Sequence, residues 1–223
     1  MKKILIITNE WSREDFGLIK AESIPEIKKD FFLIGNLVNV ISAFEDIEVE
    51  VVYHDDLTPE MVNDIKPDRI ITSGRMADWD LDVVEDEYKT ELDLIRNYSI
   101  PLLGICGGMQ LMAMAYDIPI GRMKGSDGTE VREFGVTEVT KLSEDSLFSG
   151  INSPMKFVMA HVDEIKDVPP GFKKIAQTQK CRFAAIKAEG RPIWGLQFHP
   201  EMYLDDYQDG KILLENFIYE DIF

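Results

Sequence analysis

One segment of the 223-residue chain combines residue types and spacing suited to nucleophilic catalysis: Leu103-Gly104-Ile105-Cys106-Gly107-Gly108-Met109-Gln110. A cysteine stands where an apolar run gives way to a helical pattern, with small residues around the turn. An elbow of this kind exposes a nucleophile at the C-terminal edge of a sheet. The glycines permit strained dihedrals and let a substrate approach closely. The helix start behind the sulfur offers amide N–H groups to a developing oxyanion. A buried structural cysteine in a turn that needs glycine anyway accounts for the same residues. This segment alone leaves both readings open.

A sulfur nucleophile needs a base, and the histidines are His54, His161 and His199. His199 lies in Leu196-Gln197-Phe198-His199-Pro200-Glu201, directly after an apolar run. Glu201, two residues on, is near enough to orient the imidazole through its second nitrogen, as in a triad. A strand-end histidine capping a backbone group, beside a solvated acid, would look the same. His54 precedes Asp55-Asp56 and reads as a surface loop residue. Cys106 and Cys181 form no CxxC or Cys/His spacing, which argues against a disulfide framework or a structural metal and fits a reducing, cytoplasmic compartment.

These residues must be carried by a fold, and the pattern alternates strand-like with helix-like segments, as in an α/β domain with a largely parallel sheet. Strands are expected at Lys3–Thr8, Glu48–Tyr53, Arg69–Thr72 and Pro101–Ile105. Helical spacing runs from Phe31 to Phe44, from Thr58-Pro59-Glu60 to Ile65, and from Met109 to Tyr116. Leu81, Val84, Tyr88, Leu92 and Ile95 mark the apolar face of an otherwise acidic helix. After Gly121 come shorter runs that suggest a small antiparallel extension, then a closing helix at Gly210–Tyr219. Asn9–Lys29 is polar and irregular, with Pro25 as a breaker. The glycine-rich stretch Gly121–Gly128 lacks the GxxxxGK[ST] spacing of a phosphate loop and reads as a mobile surface loop.

Composition agrees with a single domain over 1–223: 45% hydrophobic and 29% charged residues. A chain of this length buries roughly 70% of its unfolded surface and needs no metal or disulfide staple. The net charge of −17, from 24 Lys and Arg against 41 Asp and Glu, disfavours nucleic acid and anionic membrane as partners. The apolar run Ile4–Ile7 is too short for a signal segment or a membrane span.

The set GICGGMQ at 104–110 and QFHPE at 197–201, with Pro67-Asp68-Arg69-Ile70-Ile71-Thr72-Ser73-Gly74 before them, resembles the class I glutamine amidotransferases. Arg132-Glu133-Phe134-Gly135 and Met159-Ala160-His161-Val162-Asp163 are similar to segments of the amidotransferase portion of GMP synthetase. The likeness covers roughly residues 66 to 219. It implies a three-layer, flavodoxin-like, mostly parallel sheet flanked by helices. It implies Cys106 as nucleophile, His199 as base and acid, and Glu201 as orienter. Gly74, Arg75 and Gly107 would form the oxyanion hole; Gln110 and the main chain at Ala160-His161 would hold glutamine. No cofactor is implied, and no ATP site is found, so the ammonia acceptor would be a separate ATP-dependent synthetase. A stand-alone γ-glutamyl amide or isopeptide hydrolase on the same fold is the alternative. Three departures stand out: Arg75 replaces a second glycine, so a positive φ there would be hard to hold; Gly107 replaces a larger residue, loosening the pocket; Ala160 replaces a serine. Cys181 reads as a small core residue.

Overall fold

In the computed structural model, which describes residues 1–10, 17–24 and 26–220, nine strands form one sheet. They are β1 (Lys2–Thr8), β2 (Ile47–Tyr53), β3 (Arg69–Thr72), β4 (Leu102–Ile105), β5 (Glu133–Lys141), β6 (Met155–His161), β7 (Phe172–Gln177), β8 (Ala185–Ala188) and β9 (Ile193–Leu196). The spatial order is β2-β1-β3-β4-β9-β8-β7-β5-β6. The first five pair in parallel and the remainder antiparallel. The parallel half therefore has the flavodoxin-like order, in which sites lie beyond the C-terminal strand edges. The antiparallel extension continues the same sheet through β9, which is parallel to β4 and antiparallel to β8.

Alternation along β1 builds three layers, because successive side chains of a strand point to opposite faces. Ile4 and Ile6 pack with Leu37 and Ile41 of α1 (Leu33–Ser42) and with Leu213 and Phe217 of α6 (Asp209–Tyr219). Leu5 and Ile7 pack on the other face with α2 (Pro59–Ile65), α3 (Val84–Glu87), α4 (Lys89–Asn97) and α5 (Gly107–Met114). All four β1 side chains are fully buried, each worth roughly 1.5–3 kcal/mol of transfer free energy. Helix α2 starts as its sequence directs: the Thr58 hydroxyl accepts from the Met61 N–H at 3.2 Å, with Pro59 at the first position.

Several expectations need correction. The acidic helix is two short helices interrupted at Tyr88, whose side chain is buried, and Leu81 is 60% exposed, off the apolar face. The stretch Asn9–Lys29 contributes one strand of a short antiparallel pair, Leu18–Ile19 with Phe31–Phe32, and buries Ile19 and Ile24; Pro25 lies outside the described residues. The Gly121–Gly128 stretch is no simple loop. Ile120–Arg122 pairs with Asp163–Ile165, and the Lys124–Glu130 bridge closes a turn. His54 is buried, stacked on Tyr88 at 4.1 Å, so it is a packing residue. No helix among the described residues is long and apolar enough to cross a membrane.

One close approach ties α6 to the turn after β9. A Cβ placed on Gly210 would sit 3.0 Å from the Pro200 carbonyl carbon and run into its oxygen. Backbone cannot move aside as a flexible side chain can. We predict that Gly210→Ala costs about 1–3 kcal/mol, lowering the thermal midpoint by roughly 2–10 °C. An unchanged midpoint in thermal unfolding would contradict this packing.

Candidate active site

Three turns meet at the C-terminal edge of β3, β4 and β9. Cys106 follows β4 with φ 48° and ψ −98°, a conformation that costs a non-glycine residue on the order of 1–3 kcal/mol. Neighbours hold it there: its N–H donates to the Leu196 carbonyl at 2.6 Å, and its carbonyl accepts from the Gln110 N–H at 3.1 Å. The elbow also needs Gly108, whose N–H donates to the Ser73 carbonyl at 3.0 Å. A Cβ on Gly108 would overlap Thr72. The strained cysteine is thus over-determined by β3 and β9 together.

His199 follows β9 and is fixed by its N–H donating to the Val158 carbonyl at 2.9 Å. Its Nδ1 lies 2.7 Å from Glu201 Oε1, and both residues are about 2% exposed. Cys106 lies beside the ring, since one point on the 73–75 turn is 3.0 Å from His199 Cε1 and 3.7 Å from Cys106 Cβ. Burial by itself would lower the imidazole; the Glu201 carboxylate and the Cys106 sulfur outweigh it and raise the group to about 10. Asn36 Nδ2 donates to the Glu201 carbonyl at 2.7 Å and anchors the acid from α1. The fold therefore brings Cys106, His199 and Glu201 into one buried group.

The strand-end turn Ser73-Gly74-Arg75 closes the other side. A Cβ on Gly74 would lie 3.0 Å from His199 Cε1 and 3.7 Å from Cys106 Cβ, so glycine lets this turn touch the triad. Gly107 is the first residue of α5, where an amide has no intrahelical acceptor. The Arg75 nitrogen lies 3.0 Å from a Cβ built on Gly107, so the main chain of the 73–75 turn abuts the start of α5. Two expectations fail here. Arg75 is not among the positive-φ residues, so the feared strain is absent. Gly107 does not loosen the pocket, because its space is filled by Arg75, whose Cβ would lie 2.9 Å from any Cβ there.

The substrate-side residues are more committed than their sequence suggested. Gln110 accepts from the Trp79 indole N–H at 2.8 Å and donates to the Asp163 carbonyl at 3.3 Å, so its amide braces the wall. Ala160 is half-buried on β6, which the Val158–His199 bridge holds beside the triad. The buried His161 ring faces Glu133 Oε2 at 3.2 Å and the Asp163 carbonyl at 2.9 Å. With Cys181 they form a buried cluster of metal-ligand types whose ligand atoms lie within 4.8 Å of one another. Thr178 donates to the second Glu133 oxygen at 2.6 Å, and burial with the Glu133 charge pushes the Cys181 thiol up. These bonds satisfy the cluster as a brace between β5, β6 and the 178–181 turn. Sequence spacing gave no sign of it, since distant segments supply its members.

Residues that sequence reasoning passed over complete the site. Gln197 Nε2 points at Cys106 Sγ from 3.5 Å. Asn9 bonds Ser73 twice, N–H to Oγ at 3.0 Å and Nδ2 to the carbonyl at 3.1 Å. Glu91, fully buried beside Asn9 and Thr72, is raised to about 8 by that burial, which its two hydrogen bonds only partly offset. Gln197 sits inside the QFHPE motif and was legible; Asn9 and Glu91 carried no local signal.

A family profile described as glutamine amidotransferase class-I matches residues 29–220. A glutamine-hydrolyzing GMP synthase subunit of Methanocaldococcus jannaschii is 36% identical over 132 residues, 59% of this chain and 66% of that protein. The subunit of the same name from Pyrococcus abyssi is 36% identical over 127 residues, 56% of this chain and 63% of its own length. These matches thus span somewhat less than two thirds of each relative. Among solved structures, a Thermoplasma acidophilum protein provisionally described as a GMP synthase subunit superposes with a TM-score of 0.71 at 24% identity, covering 98% of this chain and 92% of that one. A Thermotoga maritima glutamine amidotransferase gives 0.69 at 16% identity, over 99% and 100% of the two chains. At these identities the structures support the fold.

The raised imidazole has a definite sign. A histidine held above its ordinary value contributes stability that is fully present below about pH 6.5 and lost as pH rises toward about 10. Ring-nitrogen NMR should find His199 charged through neutral pH, and Glu201→Gln should move its titration downward. A wild-type ring titrating near 6.5 would contradict the buried pair.

Proposed function

Since the chain belongs to the class-I glutamine amidotransferase family, we propose that it hydrolyses the side-chain amide of glutamine to glutamate and ammonia. The observation that carries this reading is the buried group Cys106, His199 and Glu201 at a strained strand-to-helix elbow, with the 73–75 turn packed against the start of the following helix.

In the proposed reaction the proton resides on His199 and the Cys106 sulfur attacks the amide carbon. A C–S bond forms, and the carbonyl π electrons move onto oxygen. The Arg75 and Gly107 N–H groups receive that oxyanion, each worth on the order of 3 kcal/mol of barrier. Collapse breaks the C–N bond, and His199 delivers its proton to the departing ammonia. The ring then takes a proton from water; hydroxide adds to the thioester, the C–S bond breaks, and glutamate leaves. Glu201 stabilises the imidazolium at each stage without exchanging a proton. Gln110, through Trp79 and Asp163, shapes the wall that orients the substrate, and the main chain at Ala160-His161 holds its amino-acid end.

Ammonia is useful only to an acceptor, and relatives named as GMP synthase subunits support a separate ATP-dependent synthetase as partner. The unpaired cysteines fit a cytoplasmic setting. The alternative of a γ-glutamyl amide hydrolase loses one of its supports, because Arg75 fills the space beside Gly107.

Glutamate release from glutamine should fall by ~10³-fold or more in Cys106→Ala. Release unchanged in that variant, or a strong preference of the wild type for bulky γ-glutamyl amines over glutamine, would overturn the proposal.

A further inference from the structure

The Arg75 side chain carries an unusual set of bonds for a residue beside a candidate oxyanion hole. Its Nε donates to the Ala77 carbonyl at 3.0 Å, and Nη2 to the Asp78 carbonyl at 3.0 Å. Nη1 donates to the Asn9 carbonyl at 3.1 Å and to the Tyr88 hydroxyl at 2.6 Å. The guanidinium also lies over the Trp79 ring, 4.7 Å from its centroid. One planar fork thereby joins the end of β1, the 77–79 loop and the junction of α3 with α4. Only arginine presents donors in that fixed array; a lysine ammonium is a point charge.

The same residue occupies the space that a side chain at position 107 would need. A Cβ on Gly107 would meet Arg75 Cβ at 2.9 Å and Arg75 N at 3.0 Å. One of those atoms is the main-chain nitrogen itself, and the other is the first atom of the side chain that anchors it. Moving them aside would displace the main-chain N–H of residue 75, and the fork resists such a movement.

We infer that Arg75 and Gly107 function as a coupled pair: the Arg75 side chain is a positioning device for its own main-chain N–H, and Gly107 is glycine to accommodate it. The catalytic half of this inference rests on the proposed glutamine hydrolysis; the packing half does not. Arg75 is a positioning residue, because four of its five N–H donors are spent on three carbonyls and a hydroxyl. Its order extends outward. Trp79, held under the guanidinium, orients Gln110, and Asp78 is paired with Arg122 at 3.2 Å. The pocket wall from 75 to 79 is therefore set from the oxyanion turn.

The test is a double-mutant cycle with Gly107→Ala, Arg75→Gly and the combined variant, each followed by glutaminase kinetics and thermal unfolding. Gly107→Ala alone should lower kcat by on the order of 100-fold with KM changed only a few-fold, as loss of one oxyanion donor does. In the Arg75→Gly background the same substitution should cost only a few-fold, because a glycine at 75 can yield. Arg75→Lys should lose kcat much as Arg75→Gly does, since the fork and not the charge is needed. Equal effects of Gly107→Ala in both backgrounds, in kcat and in thermal midpoint, would overturn the pair. A wild type that releases no glutamate would instead overturn the catalytic reading, and the midpoint cycle would still decide the packing.

Discussion

The site depends on the close approach of glycine main chain to its neighbours at the edge of the parallel sheet. Four glycines mark places where a single methyl group would intrude: Gly108 on Thr72, Gly107 on Arg75, Gly74 between His199 and Cys106, and Gly210 on Pro200. Sheet order makes this approach available, since β3, β4 and β9 lie side by side and end together. The strained φ of Cys106 then follows, because the elbow is gripped from Ser73 on one side and Leu196 on the other. Strain of this kind persists only where the surroundings over-determine it.

Around that steric frame the fold buries ionisable groups that would be costly unless paired. His199 with Glu201 is the proposed catalytic pair, and the imidazolium is favoured by Glu201 and Cys106 despite complete burial. His161 with Glu133 sits on the adjacent strands β6 and β5 and holds them in register where the substrate wall begins. Glu91 behaves differently: burial dominates over its hydrogen bonds to Thr72 and Asn9 and keeps it protonated to about pH 8. It backs Asn9, which in turn pins Ser73. The proposed oxyanion turn is thus supported from behind by a neutral acid and from above by the Arg75 fork.

Much of this was legible in the sequence. The strand and helix runs of the parallel half followed from apolar runs and caps, and β3 was read to the residue because Pro67 and Ser73-Gly74 bracket it. The motifs GICGGMQ and QFHPE singled out Cys106, His199 and Glu201 as candidates because Cys106 and His199 directly follow strands, where a local pattern can be read. What escaped were relations between distant segments. At the break, Tyr88 accepts from Arg75 and stacks on His54, relations not visible in helical periodicity. Gly107 read as a gap because a deletion of side-chain volume carries no record of what fills it. Asn9 and Glu91 lie 82 positions apart and gain meaning only through Thr72 and Ser73.

If the strained Cys106 is the acyl-accepting nucleophile, it must carry the glutamyl group during turnover. Rapid acid quench of the wild-type protein turning over glutamine, followed by peptide mass spectrometry, tests this most directly. A γ-glutamyl adduct is expected on the peptide containing Cys106, and none on the same peptide of His199→Ala treated identically. An adduct on Cys181, or turnover with no adduct on either cysteine, would contradict the assignment.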